Sequence, residues 1–209
     1  MKKIAIFLFL AFVFFLGYRL FFPAPKIKNI HPLGKNIICF SDSLTFGTGT
    51  KEGMDYPSKL FRMLSKPTIK AGIPGDTTVP ALARLQKDIL WQSPQIVLFT
   101  PRGNGLKNRF YKDEAFANLR KIIQSIEYQG ALVVVGDIDI PFFGRGFGSA
   151  YGELCRERGA ILIPNLYNGL TNHPDLMSDP IHPNKAGYSI ITKYLYEAIK
   201  HCCLQEKGT

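Results

Sequence analysis

The chain has 209 residues, of which 46% are hydrophobic, and carries a formal net charge of +10 from 26 Lys+Arg against 16 Asp+Glu. This length accommodates one globular domain with an appendage and argues against a second domain, because domains commonly contain about 100 to 200 residues. The basic residues are scattered and do not form the continuous basic stripe of nucleic-acid-binding proteins, which argues against nucleic acid as a partner. The positive charge suits attraction to an anionic membrane surface, or simply solubility.

The N-terminus has the pattern of a membrane or signal segment. Lys2 and Lys3 precede an apolar stretch over residues 4–22, whose length approaches the roughly 20 residues that span a bilayer if Arg19 extends its charge to the interface. No convincing small-x-small cleavage site follows. We therefore predict an uncleaved signal-anchor helix over residues 1–22, with a cleaved signal peptide as the alternative. The lysines place the N-terminus in the cytoplasm and the domain outside it, on the periplasmic or outer face in a bacterium, or secreted if cleaved.

A proline-containing linker over residues 23–35 leads to a domain over residues 36–201, which a tail over residues 202–209 follows. In the domain, short apolar runs alternate with longer amphipathic ones. The runs predict strands at 36–40, 68–71, 95–100, 131–136 and 160–163, and helices at 56–65, 79–90, 112–128, 148–158 and 184–200. Strands that alternate with helices of this length pair in parallel, since parallel neighbours need a crossover. The sequence therefore predicts an α/β fold, a three-layer α/β/α sandwich around a five-stranded parallel sheet.

The four cysteines indicate neither a metal site nor a redox motif. They have no Cys-x-x-Cys spacing and no metal-ligand pattern with the four histidines, so we predict no metal and no cofactor. Cys39 lies in a predicted strand and Cys155 in a predicted helix, where both suit the core. The adjacent Cys202 and Cys203 can cross-link to another chain or do nothing, and receive no function.

Three residue types in this chain are those of a serine hydrolase. A serine hydroxyl becomes a good nucleophile when a histidine takes its proton, and the histidine needs a carboxylate to hold its tautomer. Ser43, His182 and Asp179 supply these types. Asp179 and His182 are three residues apart with Pro180 stiffening the connection, so their side chains can converge. Each motif alone is weak, because a serine or aspartate near a tight turn is usually a turn former or a helix cap.

Taken together, three segments resemble the SGNH, or GDSL, family of esterases and lipases over residues 36–199. They are Phe40-Ser41-Asp42-Ser43-Leu44-Thr45, Arg102-Gly103-Asn104-Gly105 and Asp179-Pro180-Ile181-His182-Pro183-Asn184. The resemblance implies the flavodoxin-like SGNH hydrolase fold, a catalytic Ser43, His182 and Asp179, and an oxyanion hole of Ser43, Gly75 and Asn104. The chain departs from the family pattern at Ser41, where glycine usually stands, and in the Gly-x-Asn-Asp block, where Arg102 replaces the glycine and Gly105 replaces the aspartate.

The predicted strand ends agree with these assignments without using the family. Ser43, Gly75 and Asn104 follow the first, second and third predicted strands within three or four residues. Ligands of open parallel sheets bind beyond the carboxyl ends of the strands, at the point where strand order reverses. Backbone N–H groups and a side-chain amide at that edge would stabilise a developing oxyanion.

Two further segments are candidates for substrate binding. Arg102 can bind a carboxylate or phosphate of the substrate bidentately, or it can be a solvent-facing loop residue. Phe142 and Phe143 lie in a loop rich in glycine and phenylalanine after the fourth predicted strand. These rings can line an acyl pocket, or they can pack within a surface loop.

The sequence thus predicts a serine esterase or lipase-like hydrolase of carboxylic esters and thioesters, whose substrate includes lipid as one option. Through Ser-Leu-Thr-x-Gly and Gly-Asp-Thr it resembles most the bacterial arylesterase, thioesterase and lysophospholipase branch. One alternative is a deacetylase or acyltransferase acting on cell-envelope glycan or lipid, which would use the same triad. A second alternative is a non-catalytic binding domain, motivated by Arg102 and Gly105.

Overall fold

Five short, apolar strands form one parallel sheet. The structure is a computed structural model that describes residues 4, 9, 12–14, 26–101, 109–138 and 147–204. The strands are β1 (Asn36–Ser41), β2 (Thr68–Gly72), β3 (Pro94–Phe99), β4 (Leu132–Gly136) and β5 (Ile161–Ile163). They lie in the order β2-β1-β3-β4-β5, and every neighbouring pair is parallel. Since β2 and β3 flank β1 on opposite sides, a crevice opens between the carboxyl ends of β1 and β3.

Helices connect these strands, as the alternating pattern predicts. They are α1 (Ser43–Phe46), α2 (Tyr56–Leu64), α3 (Thr78–Asp88), α4 (Arg109–Tyr128), α5 (Gly148–Arg158) and α6 (Lys185–Leu204), with 3-10 turns at Leu90–Gln92 and Pro174–Leu176. The sequence pattern misses α1, because four residues are too few to show a helical period. The last helix ends at Leu204 instead of at residue 200, so Cys202 and Cys203 lie in its final turn.

The strands divide the core into two layers, which confirms the α/β/α arrangement. Alternate residues of a strand point to opposite faces. Ile37 and Cys39 pack with α2 and α6 on one face, whereas Ile38 and Phe40 pack with α3, α4 and α5 on the other. All four side chains are fully buried. Both predicted core cysteines, Cys39 and Cys155, are buried, and burial raises the pKa of both thiols, that of Cys155 to about 12.

The chain enters the domain at the edge of the sheet opposite the carboxyl strand ends. Asn29 Nδ2 donates to the carbonyl oxygens of Glu127 and Ala131 at 2.9 Å, and the N–H of Lys28 donates to the carbonyl oxygen of Gly159 at 2.8 Å. Glu127 lies in the last turn of α4 and Gly159 directly follows α5, whereas Ala131 directly precedes β4. The predicted linker therefore contacts the domain through residues that follow position 25.

The predicted anchor helix over residues 1–22 falls mostly outside the described residues. Positions 4, 9 and 12–14 are helical, and their apolar side chains are exposed. Within the part of the chain that the structure describes, no helix is both long and apolar enough to cross a membrane. The anchor and the division into segments stay predictions.

Candidate active site

The first candidate residue, Ser43, lies in a tight turn between β1 and α1. Asp42 caps α1, and its Oδ1 accepts the N–H of Leu44 at 3.1 Å. The backbone N–H of Gly47 then donates to the carbonyl oxygen of Ser43 at 3.0 Å. Ser43 is 7% exposed. This turn holds the hydroxyl at the carboxyl end of a central strand, next to the crevice between β1 and β3.

Asp179 and His182 share a compact turn before α6. Asp179 Oδ1 accepts the backbone N–H groups of Ile181 and His182, both at 2.8 Å. The N–H of Ser178 donates to the carbonyl oxygen of His182 at 2.9 Å, which closes the turn. Because the aspartate holds the backbone of the turn with one oxygen, its other oxygen is available to the imidazole.

The structure brings the three predicted residues into one chain of contacts. His182 Nδ1 lies 2.7 Å from Asp179 Oδ2, and His182 Nε2 lies 3.1 Å from Ser43 Oγ. The imidazole is 13% exposed and the Asp179 carboxylate 44% exposed. Both distances are within hydrogen-bond reach, and the ring stands between a carboxylate and a hydroxyl. Chemically, such an arrangement can accept the proton of the hydroxyl while the carboxylate stabilises the resulting imidazolium.

The electrostatics of the turn keep Asp179 ionised. Partial burial raises the pKa of the Asp179 carboxyl, but the N–H of Ile181, the His182 imidazole and the N–H of His182 outweigh burial and hold the pKa below its usual value. Hydrogen bonds and positive charge favour the ionised form of a carboxyl. Asp179 is therefore a carboxylate at neutral pH.

Gly75, a predicted oxyanion donor, lies in a β-turn after β2. The N–H of Asp76 donates to the carbonyl oxygen of Ile73 at 3.1 Å, and Gly75 has φ +79 after Pro74, which are the features of a type II turn. The turn bond uses the N–H of Asp76 and not that of Gly75. The N–H of Ile73 donates to the carbonyl oxygen of Ser41 at 3.0 Å, so this loop lies beside the strand end that carries Ser43.

The remaining predicted site residues lie outside the described residues. These are the oxyanion candidate Asn104 and the substrate-binding candidates Arg102, Phe142 and Phe143. Among the residues that the structure does describe, no group of three or more His, Cys, Asp or Glu side chains could hold a metal ion.

A comparison with family models decides the classification. The model of the GDSL-like lipase/acylhydrolase family matches residues 39–190, which include Ser43, Asp179 and His182. The chain belongs to this family.

The relatives that this GDSL-family protein matches are named as hydrolytic enzymes. It is 26% identical over 172 residues to thioesterase 1/protease 1/lysophospholipase L1 of Escherichia coli K12, covering 78% of this chain and 83% of that one. It is 27% identical over 179 residues to an arylesterase of Vibrio mimicus, covering 80% and 90%. The crystal structure of TesA superposes with a TM-score of 0.73 at 23% identity, covering 80% of this chain and 99% of that chain. This GDSL-family protein is an ester hydrolase.

Sequence reasoning missed two residues that join the serine turn of this GDSL hydrolase to its histidine turn. The fully buried Tyr188 of α6 donates its hydroxyl to the carbonyl oxygens of Leu44 at 3.2 Å and Thr48 at 2.9 Å. Gly49 has φ +94, and a Cβ there would lie 3.0 Å from the Cβ of His182 and closer still to neighbouring atoms. The glycine of the Ser-Leu-Thr-x-Gly motif is Gly47, and no pattern in the sequence distinguishes Gly49 from an ordinary loop glycine. A tyrosine on an amphipathic helix has the pattern of an ordinary core residue.

We expect Tyr188→Phe to lower both stability and activity. The change leaves the buried carbonyl oxygen of Leu44 and the half-buried one of Thr48 without their shared donor, which costs about 1 to 2 kcal/mol. It also removes a direct link between α6 and the loop that begins at Ser43, so kcat/KM should fall several-fold. Urea unfolding and ester hydrolysis measure the two effects. Tyr194→Phe on the same helix, whose exposed hydroxyl donates to Asn168 at 3.3 Å, is the matched control. Equal behaviour of the two variants would contradict the expectation.

Proposed function

We propose that the protein hydrolyses carboxylic esters and thioesters by acyl transfer to Ser43. The observation that carries the proposal is the continuous contact from Asp179 Oδ2 to His182 Nδ1 at 2.7 Å and from His182 Nε2 to Ser43 Oγ at 3.1 Å. In this role His182 acts first as base and then as acid, and Asp179 holds the ring in the tautomer with a proton on Nδ1.

The reaction proceeds in two balanced steps. Ser43 Oγ forms a bond to the acyl carbon as its proton passes to His182 Nε2; the alcohol or thiol then leaves and takes that proton. Water next attacks the acyl-serine, gives a proton to His182, and releases the acid while Ser43 regains its proton. Negative charge on the acyl oxygen develops in both steps, so both need the same oxyanion donors.

The proposed oxyanion donors are the N–H groups of Ser43 and Gly75 and the side-chain amide of Asn104. The glycine turn beside the end of β1 supports Gly75, because a residue without a Cβ lets the substrate approach the backbone closely. Asn104 is proposed from the sequence. Arg102, Phe142 and Phe143 are proposed as substrate-binding residues on the same basis.

Covalent labelling with a fluorophosphonate probe tests the proposed function. Such a probe reacts with an activated serine and not with ordinary serines. We expect one equivalent of label on Ser43, located by mass spectrometry, and none in Ser43→Ala. Ser189→Ala, on the exposed face of α6, is the matched control and should label like the wild type. A folded wild-type protein that does not label would favour a non-catalytic binding domain and overturn the proposal.

The substrate class is proposed from the names of the relatives, which are those of a thioesterase, a lysophospholipase and an arylesterase. Hydrolysis of p-nitrophenyl esters with two to twelve acyl carbons, beside acyl thioesters, measures the preferred chain length and leaving group. Product analysis with added sugar acceptors distinguishes hydrolysis from acyl transfer. A preference for the acetyl ester, with transfer to sugars, would replace the proposal with a deacetylase or acyltransferase of the cell envelope.

We also propose that residues 1–22 anchor the protein in a membrane with its domain outside the cytoplasm. The paired lysines before a long apolar stretch support this orientation. Since residues 26–35 contact the amino edge of the sheet and β1 spans six residues, Ser43 would lie about 20 Å away on the opposite edge. Fractionation of cells and sequencing of the mature N-terminus test the proposal, and a soluble protein that begins after residue 22 would favour secretion.

A further inference from the structure

A largely buried ion pair lies next to the Gly75 turn. Arg84 of α3 donates from Nη2 to Asp76 Oδ2 at 2.5 Å and from Nε to the same oxygen at 2.8 Å. The Asp76 side chain is 4% exposed and that of Arg84 is 13% exposed. Asp76 is covalently next to Gly75 and supplies the N–H that closes its turn. The position of the Gly75 peptide group is thus tied directly to the guanidinium.

The same guanidinium also binds the two strand ends beside the site. Nη2 donates to the carbonyl oxygen of Ser41 at 3.0 Å, and Nη1 donates to that of Ala71 at 3.1 Å. Ser41 ends β1, two residues before Ser43, and Ala71 lies at the end of β2. Nη1 also contacts Asp88 at 2.8 Å, and the group lies 4.3 Å from the centre of the Phe40 ring. One planar cation therefore joins the strand before Ser43 to the turn that contains Gly75.

Stability alone does not require a cation at this place. A buried ion pair contributes little net stability, because the desolvation of both charges offsets their attraction. Its geometric effect is larger, since the rigid fork of arginine fixes several oxygen atoms relative to one another, which the single ammonium of lysine does not do. The oxygens fixed here belong to the two segments that would hold oxyanion donors.

We propose that Arg84 is a positioning residue that, through Asp76, sets the distance between the N–H of Gly75 and the acyl carbon bound to Ser43. This inference rests on the proposed function, in which Gly75 donates to the oxyanion. Misplacing one such donor weakens binding of the transition state more than binding of the ground state. Arg84 touches no substrate atom in this role.

The test compares Arg84→Lys and Asp76→Asn with wild type in the full chain. We expect kcat to fall about 10- to 100-fold in both variants, with KM within about twofold of wild type. The affinity for an alkylboronic acid, which forms a tetrahedral adduct with a serine hydroxyl, should fall by a factor similar to that of kcat. Arg120→Lys is the matched control, because Arg120 also donates from Nε and Nη2 to one carboxylate, that of Glu157, at 2.9 Å, but does so on the surface.

A purely structural role would give a different result. It would lower the urea midpoint but leave kcat per folded molecule and boronate affinity unchanged, which would overturn the inference. Fluorophosphonate labelling of each variant distinguishes failure of the positioning role from failure of the proposed function. If wild-type Ser43 labels but Arg84→Lys has wild-type kcat, the positioning role is wrong and the proposed function stands. If wild-type Ser43 does not label, the proposed function fails and the inference fails with it.

Discussion

Replacing Ser43 with alanine should lower kcat/KM for ester hydrolysis by at least about 10⁴-fold. The change removes the only atom of this residue that can form the acyl intermediate, and leaves His182 with no hydroxyl to activate at its Nε2. Ser43 is 7% exposed and its Oγ makes the one 3.1 Å contact to the imidazole, so the fold should tolerate the loss. Hydrolysis of p-nitrophenyl esters, with burst-phase measurement of the acyl-enzyme, checks the prediction.

The control for Ser43→Ala is Ser189→Ala, which removes an exposed hydroxyl from α6 and should retain wild-type kcat/KM. Circular dichroism and the urea midpoint should show that both variants are folded. A Ser43→Ala protein that retained more than a few per cent of wild-type activity would mean that another group is the nucleophile.

Replacing Asp179 with asparagine should lower kcat by roughly 10²- to 10⁴-fold. Asparagine has the same size but can donate its N–H₂ group to Nδ1, which favours the tautomer with its proton on Nε2, where no serine proton can then be accepted. The change also removes the negative charge that stabilises the imidazolium. Because the carboxylate is 44% exposed and solvent screens its charge, we expect the lower part of that range. KM should change little, since the residue does not touch the substrate.

The control for Asp179→Asn is Asp175→Asn, which makes the same chemical change at a side chain that is 78% exposed and belongs to the adjacent 3-10 turn. Its kcat should stay within about twofold of wild type. If Asp175→Asn lowered kcat as much as Asp179→Asn, general charge near the site, and not the contact with His182, would be the cause.

We also expect the stability difference between wild type and Asp179→Asn to depend on pH. The pKa of Asp179 is lower in the folded protein than its ordinary value of 3.8. Its ionised form therefore stabilises the fold above that pH, and the contribution disappears as pH falls through the folded pKa. The difference in urea midpoint between wild type and Asp179→Asn should be largest near neutral pH and should shrink below about pH 4. A difference that grows in acid would contradict this sign.

The chemistry of the candidate site was predictable because it depends on residue types at strand ends. Runs of apolar residues located β1 to β5 to within two residues, and the parallel order then placed Ser43 and Gly75 at one edge of the sheet. The resemblance supplied the pairing of Asp179 with His182, and the structure gives the 2.7 Å contact. The short α1 was not predictable, because the cap of Asp42 on Leu44 is a contact of two residues with no repeating pattern.

Arg84, Asp76 and Tyr188 could not be recognised from the sequence for a physical reason. An arginine and a tyrosine on amphipathic helices have the same local pattern whether they face solvent, core or a functional turn. What distinguishes Arg84 is that its partners, Ser41, Ala71 and Asp76, come from three segments that only the folded sheet brings together.

Local patterns in the chain were therefore sufficient for the fold class, the family and the candidate triad, because hydrophobic periodicity and short motifs are properties of neighbouring residues. The tertiary structure decided the rest. It placed His182 within 3.1 Å of a serine 139 positions earlier, joined α6 to the serine turn through Tyr188, and set the Gly75 turn against β1 through Arg84. These are contacts between distant segments, and their distances depend on how the helices pack on the sheet, which no local pattern specifies.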